Sequence, residues 1–243
     1  MTGRHPQPVP APKSRHRYPM AKHLARDLEA LQRQLLGMAS RVEESVYHAT
    51  KALETRDVRL AREVIAGDVA VDALENEILE DCLKILALNQ PVAVDLRKTA
   101  AALSIATNLE RIGDLAVEIA ERVVALVGTP GLEAPGAIRG LADVVASMVR
   151  QAIDAFVSLD IRQAERVIRL DDEADRLHAE VIDELVGKMK RDPEVVEAGV
   201  SMFSAARHLE RIGDHATNIA EDVVYLIEGE IVRHRPKSSP RGG

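Results

Sequence analysis

The amino-acid sequence predicts an all-α protein built from two tandem, homologous three-helix bundles. Apolar residues recur at spacings of three and four along most of the chain, which is the period of one helix face. Hydrophobic residues make up 46% of the 243 residues, enough to form a core, whereas aromatic residues make up only 2%, fewer than most β-sandwiches contain. The second half of the chain also repeats the first half, so the same helical unit occurs twice.

The first predicted bundle spans residues 20–128. Its first helix carries a heptad-like apolar seam over residues 24–42. Asp57 is predicted to cap the second helix, from about Val58 to Leu88, because its carboxylate can accept a hydrogen bond from a free N–H at the helix start. A proline, which cannot donate a backbone hydrogen bond, ends that helix. The third helix is then predicted from about Val92 to Leu126.

The second predicted bundle spans residues 137–230 and follows a segment rich in glycine and proline. Its three helices are predicted at about Ala137–Leu159, Ile161–Lys190 and Glu194–Glu228. Asp160 is predicted to cap the middle one, in the same way as its counterpart in the first bundle.

Two terminal segments differ in composition from the bundles. Residues 1–19 contain five prolines and four Lys or Arg but no acid, and we predict a disordered basic arm that is either a plain solvated tail or a contact for a partner. Residues 231–243 are predicted to be a C-terminal tail. The arm has no apolar segment of the signal-peptide type, and no apolar run is long enough to span a bilayer, so we expect a cytoplasmic protein without membrane insertion.

Charge and cysteine content exclude further classes. The formal net charge of -7 argues against a nucleic-acid partner, and the few aromatic residues argue against a base-stacking surface. The single cysteine allows neither an intrachain disulfide nor a zinc finger.

The internal repeat is visible in two alignments. Residues 57–65 align with residues 160–168 at an offset of 103, and the sequence Leu-Glu-Arg-Ile-Gly-Asp occurs at both 109–114 and 209–214, at an offset of 100. The change in offset places a three-residue length difference near the turn between the second and third helices of each half.

Acidic residues lie on helix faces that the spacing of apolar residues predicts to be buried. Asp68, Asp72 and Glu75 follow this spacing in the second helix, and Glu110 and Asp114 follow it in the third. The predicted metal ligands of both halves are Asp68, Asp72, Glu75, Glu110, Asp114, Glu121, Asp171, Asp175, His178, Glu210, Asp214 and Glu221. Because buried carboxylates one turn apart repel each other, and unpaired buried charges are costly, we predict that cations bind between them.

The ligand types narrow the choice of metal. Carboxylate sites suit hard cations such as Fe(III), Mn²⁺, Mg²⁺ or Ca²⁺, and His178 widens the choice to iron or zinc in the second half. We therefore expect iron or zinc, with manganese or magnesium as alternatives. The competing interpretation is that the buried face is misplaced by about 40°. The acids would then form solvated rims and pair with basic residues, for which Arg111 and Arg211 are candidates.

Five other residues carry weaker signals. Cys82 lies on the apolar stripe and is predicted to be a core residue, whereas His208 and His215 adjoin the second acidic set and are predicted to lie on the surface. Gly113 and Gly213 lie inside helices, where glycine costs about 1 kcal/mol relative to alanine. They indicate the close approach of either a neighbouring helix or an ion.

These motifs resemble those of the PhoU family of accessory regulators of phosphate-specific transport. The duplicated Glu-Arg-Ile-Gly-Asp at 110–114 and 210–214 is similar to that family's signature, and the Asp-x-x-x-Asp pairs at 68–72 and 171–175 match its partner motif on the preceding helix. The resemblance covers about residues 20–230. It implies two three-helix bundles with multinuclear metal clusters on one surface.

The resemblance also implies a function. Members of the family are cytoplasmic, often homodimeric regulators that restrain phosphate uptake and phosphate-starvation two-component signalling. Their expected partners are the ATPase of the phosphate ABC transporter and a membrane sensor histidine kinase.

Two other functions stay open at this stage. Asp175-x-x-His178 is similar to the ligand pair of di-iron helical bundles, so a di-metal oxidase or hydrolase is the first alternative. A structural coiled-coil adaptor without metal is the second. We expect a protein that is not an enzyme, because the sequence has no nucleophile elbow, no HExxH motif and no phosphate-binding glycine-rich loop.

Overall fold

The computed structural model describes residues 17–129 and 131–229, and within them it confirms the all-α fold with two three-helix bundles. Most of the predicted basic arm and the predicted C-terminal tail lie outside the described residues. The helices are α1 (Arg17–Thr55), α2 (Val58–Gly67), α3 (Val69–Asn89), α4 (Val94–Ala125), α5 (Gly136–Ser158), α6 (Ile161–Arg191) and α7 (Val196–Glu228), and a short 3₁₀ turn (Pro193–Val195) precedes α7. Because α1 begins at Arg17, residues 17–19 belong to a helix and not to the arm.

Both predicted N-caps are present. The Asp57 carboxylate accepts a hydrogen bond from the backbone N–H of Leu60 at 3.0 Å. The Asp160 carboxylate accepts from the N–H groups of Arg162 at 2.9 Å and Gln163 at 3.2 Å. Each cap provides a partner for N–H groups that the first helical turn leaves free, and therefore fixes where the second helix of each bundle begins.

The second predicted helix of the first half is divided at Asp68 into α2 and α3, whereas its counterpart α6 is continuous. At the division, the Asp68 carbonyl accepts from the N–H of Val71 at 2.7 Å and from that of Asp72 at 3.1 Å. Gly67 precedes the division, and the equivalent position in α6 is Leu170. Glycine has a low helix propensity, which explains why the irregular turn occurs in the first half.

The two bundles share one apolar core. The central helices α4 and α7 pack against each other, and each also packs against the other helices of its own bundle. Arg97 Nε donates to the Leu226 carbonyl at 3.3 Å, and Asn108 Oδ1 lies 3.0 Å from His215 Nδ1, so α4 and α7 run antiparallel. Cys82 is fully buried, as predicted, and burial raises the pKa of its thiol to about 12. None of the helices in the described ranges combines the length and apolar character needed to cross a bilayer.

Candidate metal centre

The predicted acidic stripe lies at the edge of the core and not inside it. In α3 the buried residues are Val71, Ile78, Cys82 and Ile85, whereas Leu79, which lies on the same helix face as Asp72 and Glu75, is 43% exposed. Asp72 is exposed. Successive residues of a helix are rotated by about 100° around its axis. The buried face of α3 therefore lies beside the acids and does not include them. The prediction of a buried acidic seam is therefore wrong, and the acids line partly exposed grooves between pairs of helices.

The first groove lies between the α2–α3 junction and α4, and we call its acidic set site 1. Its members are Asp68, Asp72, Glu75, Glu110 and Asp114. Asp68, Asp72 and Asp114 each place one carboxylate oxygen within 4.8 Å of the others. This spacing lets three oxygens contact a single cation, because metal–oxygen distances are about 2.0–2.6 Å.

The two glutamates of site 1 are held by neighbours on α4. Thr107 Oγ1 donates to Glu75 Oε1 at 3.2 Å. Arg111 places its guanidinium 3.5 Å from Glu110 Oε2 and 3.5 Å from Asp114 Oδ2. Arg111, which the sequence offered as a candidate partner for the acids, therefore contacts both of them, because its long side chain reaches around the helix.

Desolvation and the remaining negative charge perturb the carboxyl groups of site 1. Burial raises the pKa of Glu110 to about 7, and the Asp114 carboxylate adds to this increase. Burial also raises the pKa of Asp68, with contributions from Asp72 and Asp114. In both cases desolvation and like charge disfavour the ionised form, and a bound cation would reverse that effect.

Gly113 allows α3 to approach α4 closely behind site 1. A Cβ at this position would lie 3.3 Å from Val71 Cγ1 and 3.5 Å from Asp68 Oδ1. The absence of a side chain therefore leaves room for the turn that presents Asp68. Gly213, its counterpart, faces α5, where a Cβ would lie 3.7 Å from both Met148 and Val145, an ordinary contact distance.

The second groove lies between α6 and α7, and we call its set site 2. Its members are Asp171, Asp175, His178, Glu210 and Asp214. Desolvation by the neighbouring helices raises the pKa of Asp214 to about 6, although the residue as a whole is exposed to solvent. The carboxylates of Glu210, Asp171 and Asp175 add to the increase. Burial and two of the same neighbours raise the pKa of Glu210. The acids of α6 and α7 are therefore close enough to interact.

His178 replaces the Glu75 of the first half and has a different environment. Its Nε2 atom is buried and has no hydrogen-bond partner among the described residues. Burial lowers the pKa of the imidazole, which favours its neutral form. A neutral imidazole with an unpartnered nitrogen next to carboxylates is a suitable metal ligand.

Two of the predicted ligands are distant from both sets. Glu121 and Glu221 follow Asp114 and Asp214 by seven residues, which is roughly 10 Å along a helix. Glu121 lies 3.8 Å from Arg122 instead. Among the described residues, the structure brings the carboxylates of Asp68, Asp72 and Asp114 within ligand distance of one another, and it leaves Glu121 and Glu221 two turns away along their helices.

A polar contact between the bundles was missed by sequence reasoning. His208, predicted on the surface, has a side chain that is only 16% exposed, and its Nδ1 lies 2.9 Å from Glu118 Oε2. Its Nε2 lies 3.1 Å from Ser204 Oγ. His215 is also partly buried and contacts Asn108 of the other bundle. One signal was available, because Asn108 and His208 occupy equivalent positions in the repeat and are polar beside a core leucine.

The comparisons with known proteins agree with the duplicated architecture. The family model for the PhoU domain matches residues 35–123 and again residues 138–223. The phosphate-specific transport system accessory protein PhoU homolog of Aquifex aeolicus is 40% identical to this chain over 212 residues, which cover 87% of this chain and 96% of the relative. A homolog from Pseudomonas aeruginosa is 39% identical and covers 86% of each chain.

Solved structures show the same fold. The crystal structure of PhoU from Pseudomonas aeruginosa has a TM-score of 0.80 and 37% identity, covering 85% of this chain and 100% of that one. The phosphate transport system regulatory protein PhoU from Streptococcus pneumoniae also has a TM-score of 0.80, with 29% identity over 86% of this chain and 99% of that one.

Proposed function

This chain belongs to the PhoU family, and on that premise we propose that it is a metal-binding cytoplasmic regulator that restrains phosphate uptake and phosphate-starvation signalling. The observation that carries the proposal is the match to both halves of proteins named as accessory or regulatory components of phosphate transport. High identity over nearly the full length of such a relative supports a shared role more strongly than a shared fold alone would.

We further propose that sites 1 and 2 bind metal ions. The residues fit such ions on three observations: the clustered oxygens of site 1, the room beside Asp68 that Gly113 provides, and the unpartnered Nε2 of His178. Asp68, Asp72, Glu110 and Asp114 would hold the ions at site 1, with Glu75 beside them. The corresponding set at site 2 is Asp171, Asp175, His178, Glu210 and Asp214.

Bound cations would neutralise the grooves and offer open coordination positions to a partner. Before any metal binds, the chain's own residues determine the charge of the grooves. Carboxylates at the groove surface give an anionic patch on a rigid helical scaffold, and Arg111 screens part of its charge. Metal ions held in such a patch could accept ligands from another protein without any chemical reaction.

The proposed partners are the ATPase of the phosphate transporter and a membrane sensor histidine kinase, and the proposed assembly is a homodimer. The relatives' names connect them with the transport system, which supports the first partner. The kinase and the dimer rest on the family resemblance. Neither a nucleic acid nor insertion into the bilayer is part of the proposal.

A di-metal enzyme is the alternative that site 2 would favour. His178 beside Asp175 is one observation in its direction. Against it, di-iron bundles use a Glu-x-x-His motif on two helices, whereas site 1 carries Glu75 at the equivalent position. A site rich in carboxylates also lowers the Lewis acidity of its metal, so a regulator that is not an enzyme remains our proposal.

A gene deletion tests the function directly. In phosphate-rich medium, the deletion strain should express phosphate-starvation genes strongly, and the intact gene should restore repression. A protein variant that is altered at both sites should restore repression poorly. That variant carries Glu110→Gln, Asp114→Asn, Glu210→Gln and Asp214→Asn. A reporter fused to a starvation promoter measures the effect.

The matched control removes as much charge from exposed helix faces outside both grooves. It carries Glu63→Gln, Glu80→Gln, Glu173→Gln and Glu180→Gln, and it should repress like the parent. Normal repression in the deletion strain, together with turnover of a substrate by the purified protein, would replace the regulator with the enzyme.

A further inference from the structure

Each acidic groove continues as an apolar strip between the same pair of helices. Contacts at two levels show that α3 and α4 run antiparallel. At one of them the Thr107 hydroxyl donates to the Glu75 carboxylate at 3.2 Å, and one turn farther from the acids lie Leu103 on α4 and Leu79 on α3. These two leucines begin a line that runs away from site 1, which we call strip 1. Its members are Leu79, Leu83, Leu96, Ala100 and Leu103.

Strip 1 exposes large apolar side chains to solvent. Leu79, Leu83 and Leu96 are 43%, 55% and 44% exposed. The exposed residues next to them on α3 include Glu80 and Lys84, which are charged. Single exposed leucines are common on protein surfaces, whereas a continuous line of them indicates a surface that another molecule covers.

The second bundle repeats this line at every position. The offsets of the internal repeat give strip 2 on α6 and α7, whose members are Ile182, Val186, Val196, Val200 and Phe203. The residue type differs between the strips at all five positions, yet every residue of both strips is apolar. Val196, Val200 and Phe203 are 42%, 57% and 37% exposed. The core does not require apolar residues at positions this exposed, so their retention in both halves favours a shared binding role.

The contact between the bundles relates the two strips by symmetry. Arg97 contacts Leu226, and Asn108 contacts His215, in one antiparallel register of α4 and α7. In that register the middle of the motif at 109–114 lies opposite the middle of the motif at 209–214. Two equivalent helices that meet antiparallel at equivalent residues are related by an approximate two-fold axis. The axis is perpendicular to the layer that α4 and α7 form, so both strips lie on the same side of that layer.

The acids at one end of each strip define the charge of the occupant. Strip 1 meets Glu75 and Glu110 of site 1, where Arg111 offsets only part of the carboxylate charge. At site 2, Arg207 and Arg211 act on the carboxylates, so more of the charge is offset there. An occupant with basic residues at this end is complementary to both strips, and more strongly to strip 1, whereas an acidic occupant is repelled.

We propose that each strip binds an amphipathic helix with its basic residues over the neighbouring acids, and that the two helices come from the two subunits of a two-fold symmetric partner. Apolar side chains at i, i+3 or i+4, and i+7 form one line along such a helix and match the line of a strip. A symmetric partner contacts both strips at once, so the second contact is intramolecular and raises the overall affinity. That the partner is a protein rests on the proposed function, whereas the strips do not depend on metal at either site.

A designed peptide tests the strips with purified full-length protein. The probe is a helical peptide with leucines at helical spacing and arginines at one end. Two copies joined by a Gly-Ser linker that spans both strips should bind about a hundredfold more tightly than one copy. Either Leu83→Asp with Leu96→Asp in strip 1, or Val196→Asp with Val200→Asp in strip 2, should remove this gain. Calorimetric titration with a series of linker lengths measures the affinities.

The matched control is Tyr47→Asp with Val127→Asp, which alters two residues outside the strips that are each 63% exposed. It should bind the joined peptides like the parent. Thermal melts show whether each variant folds, and Leu83→Ala with Leu96→Ala is a milder version for strip 1. Joined peptides that bind no more tightly than one copy at any linker length would overturn the proposal. Equal binding of a peptide whose leucines are spread around the helix would also overturn it, because charge alone would then explain the binding.

Repression in cells gives the second readout. Altering one strip should reduce repression about as much as altering both, because the loss of either contact removes the gain from bivalent binding. The metal content of these variants should equal that of the parent, which separates them from variants of sites 1 and 2. Normal repression in the deletion strain would refute the proposed function, and the peptide titrations would still decide whether the strips bind. Additive losses from the two strips would refute the symmetric partner, and altered sedimentation of the strip variants alone would identify a second copy of this chain as the occupant.

Discussion

The two bundles descend from one repeated unit, yet they present their acidic sites differently. In the first, Gly67 and Gly113 accompany a divided helix, and three carboxylates converge at the division. In the second, α6 is continuous, and a histidine takes the place of a glutamate. A six-residue motif that is identical in both halves thus lies in two different surroundings. Identity of the motif on α4 and α7 does not determine the geometry of the site, because the partner helix supplies the other ligands.

Removal of the metal should have the largest effect on both halves. If each site is saturated at a thousandfold excess over its Kd, chelation should cost about 4 kcal/mol per site, or roughly 10 °C in melting temperature. Asp114→Ala should remove metal from site 1 only, and Asp214→Ala from site 2 only. Metal content by mass spectrometry and thermal melts measure both effects.

Glu121→Ala is the control for that experiment, because it removes an acid from the same helix two turns away. It should retain the metal of the parent. Unchanged metal content when Asp114→Ala and Asp214→Ala are combined would refute the assignment of both sites.

Exchange of the residues that differ between the sites should exchange their metal preferences. His178→Glu should lower the preference of site 2 for zinc over manganese by about tenfold, because carboxylates suit harder cations than imidazole does. The reciprocal Glu75→His should raise the preference of site 1. Competition between the two metals, measured on the separate site variants, shows the shift, and an identical preference in all variants would mean that neither residue binds the ion.

The pH dependence of the metal-free protein should also separate the halves. A carboxyl group whose pKa is raised on folding stabilises the folded state at low pH, and this contribution is lost as pH rises through the folded pKa. For Glu110 the loss extends to about pH 7, and for Asp214 to about pH 6. Thermal melts from pH 4.5 to 8 measure the loss.

Substitution should remove each contribution separately. Glu110→Gln should flatten the decline in melting temperature up to about pH 7, and Asp214→Asn only up to about pH 6. Glu121→Gln, with its side chain beside Arg122, serves as the control. A decline that Glu110→Gln leaves intact would show that this carboxyl group keeps its ordinary environment.

The smallest effect is expected at the two glycines. Gly213→Ala should stabilise the protein by up to about 1 kcal/mol, because alanine is the better helix former and the added methyl group meets only ordinary contacts. Gly113→Ala should lose this gain, because the methyl group presses on Val71, and it should weaken metal binding at site 1 through Asp68. Denaturant unfolding measures the difference, and equal gains at both positions would contradict the close approach.

Local signals in the sequence were sufficient to predict the helices and their duplication. Asp57 and Asp160 cap their helices as predicted, because capping depends on a side chain and the N–H groups two or three residues later. The spacing of apolar residues predicted helices that pack into bundles, and the internal repeat predicted that there are two bundles. The third helix, predicted to begin at about Val92 after Pro91, begins at Val94.

Only the tertiary structure decided how deep each side chain lies and what it meets. A shift of one residue in the buried line of α3 moves Asp72 to the surface and brings Ile78 to the core, and the chain's own period is compatible with both lines. The division at Asp68, the reach of Arg111 and the burial of His208 against Glu118 depend on how neighbouring helices pack. Periodicity is a property of one helix, whereas burial is a property of a contact between helices. The sequence therefore predicted which acids share a helix face, and the packing determined that they line open grooves.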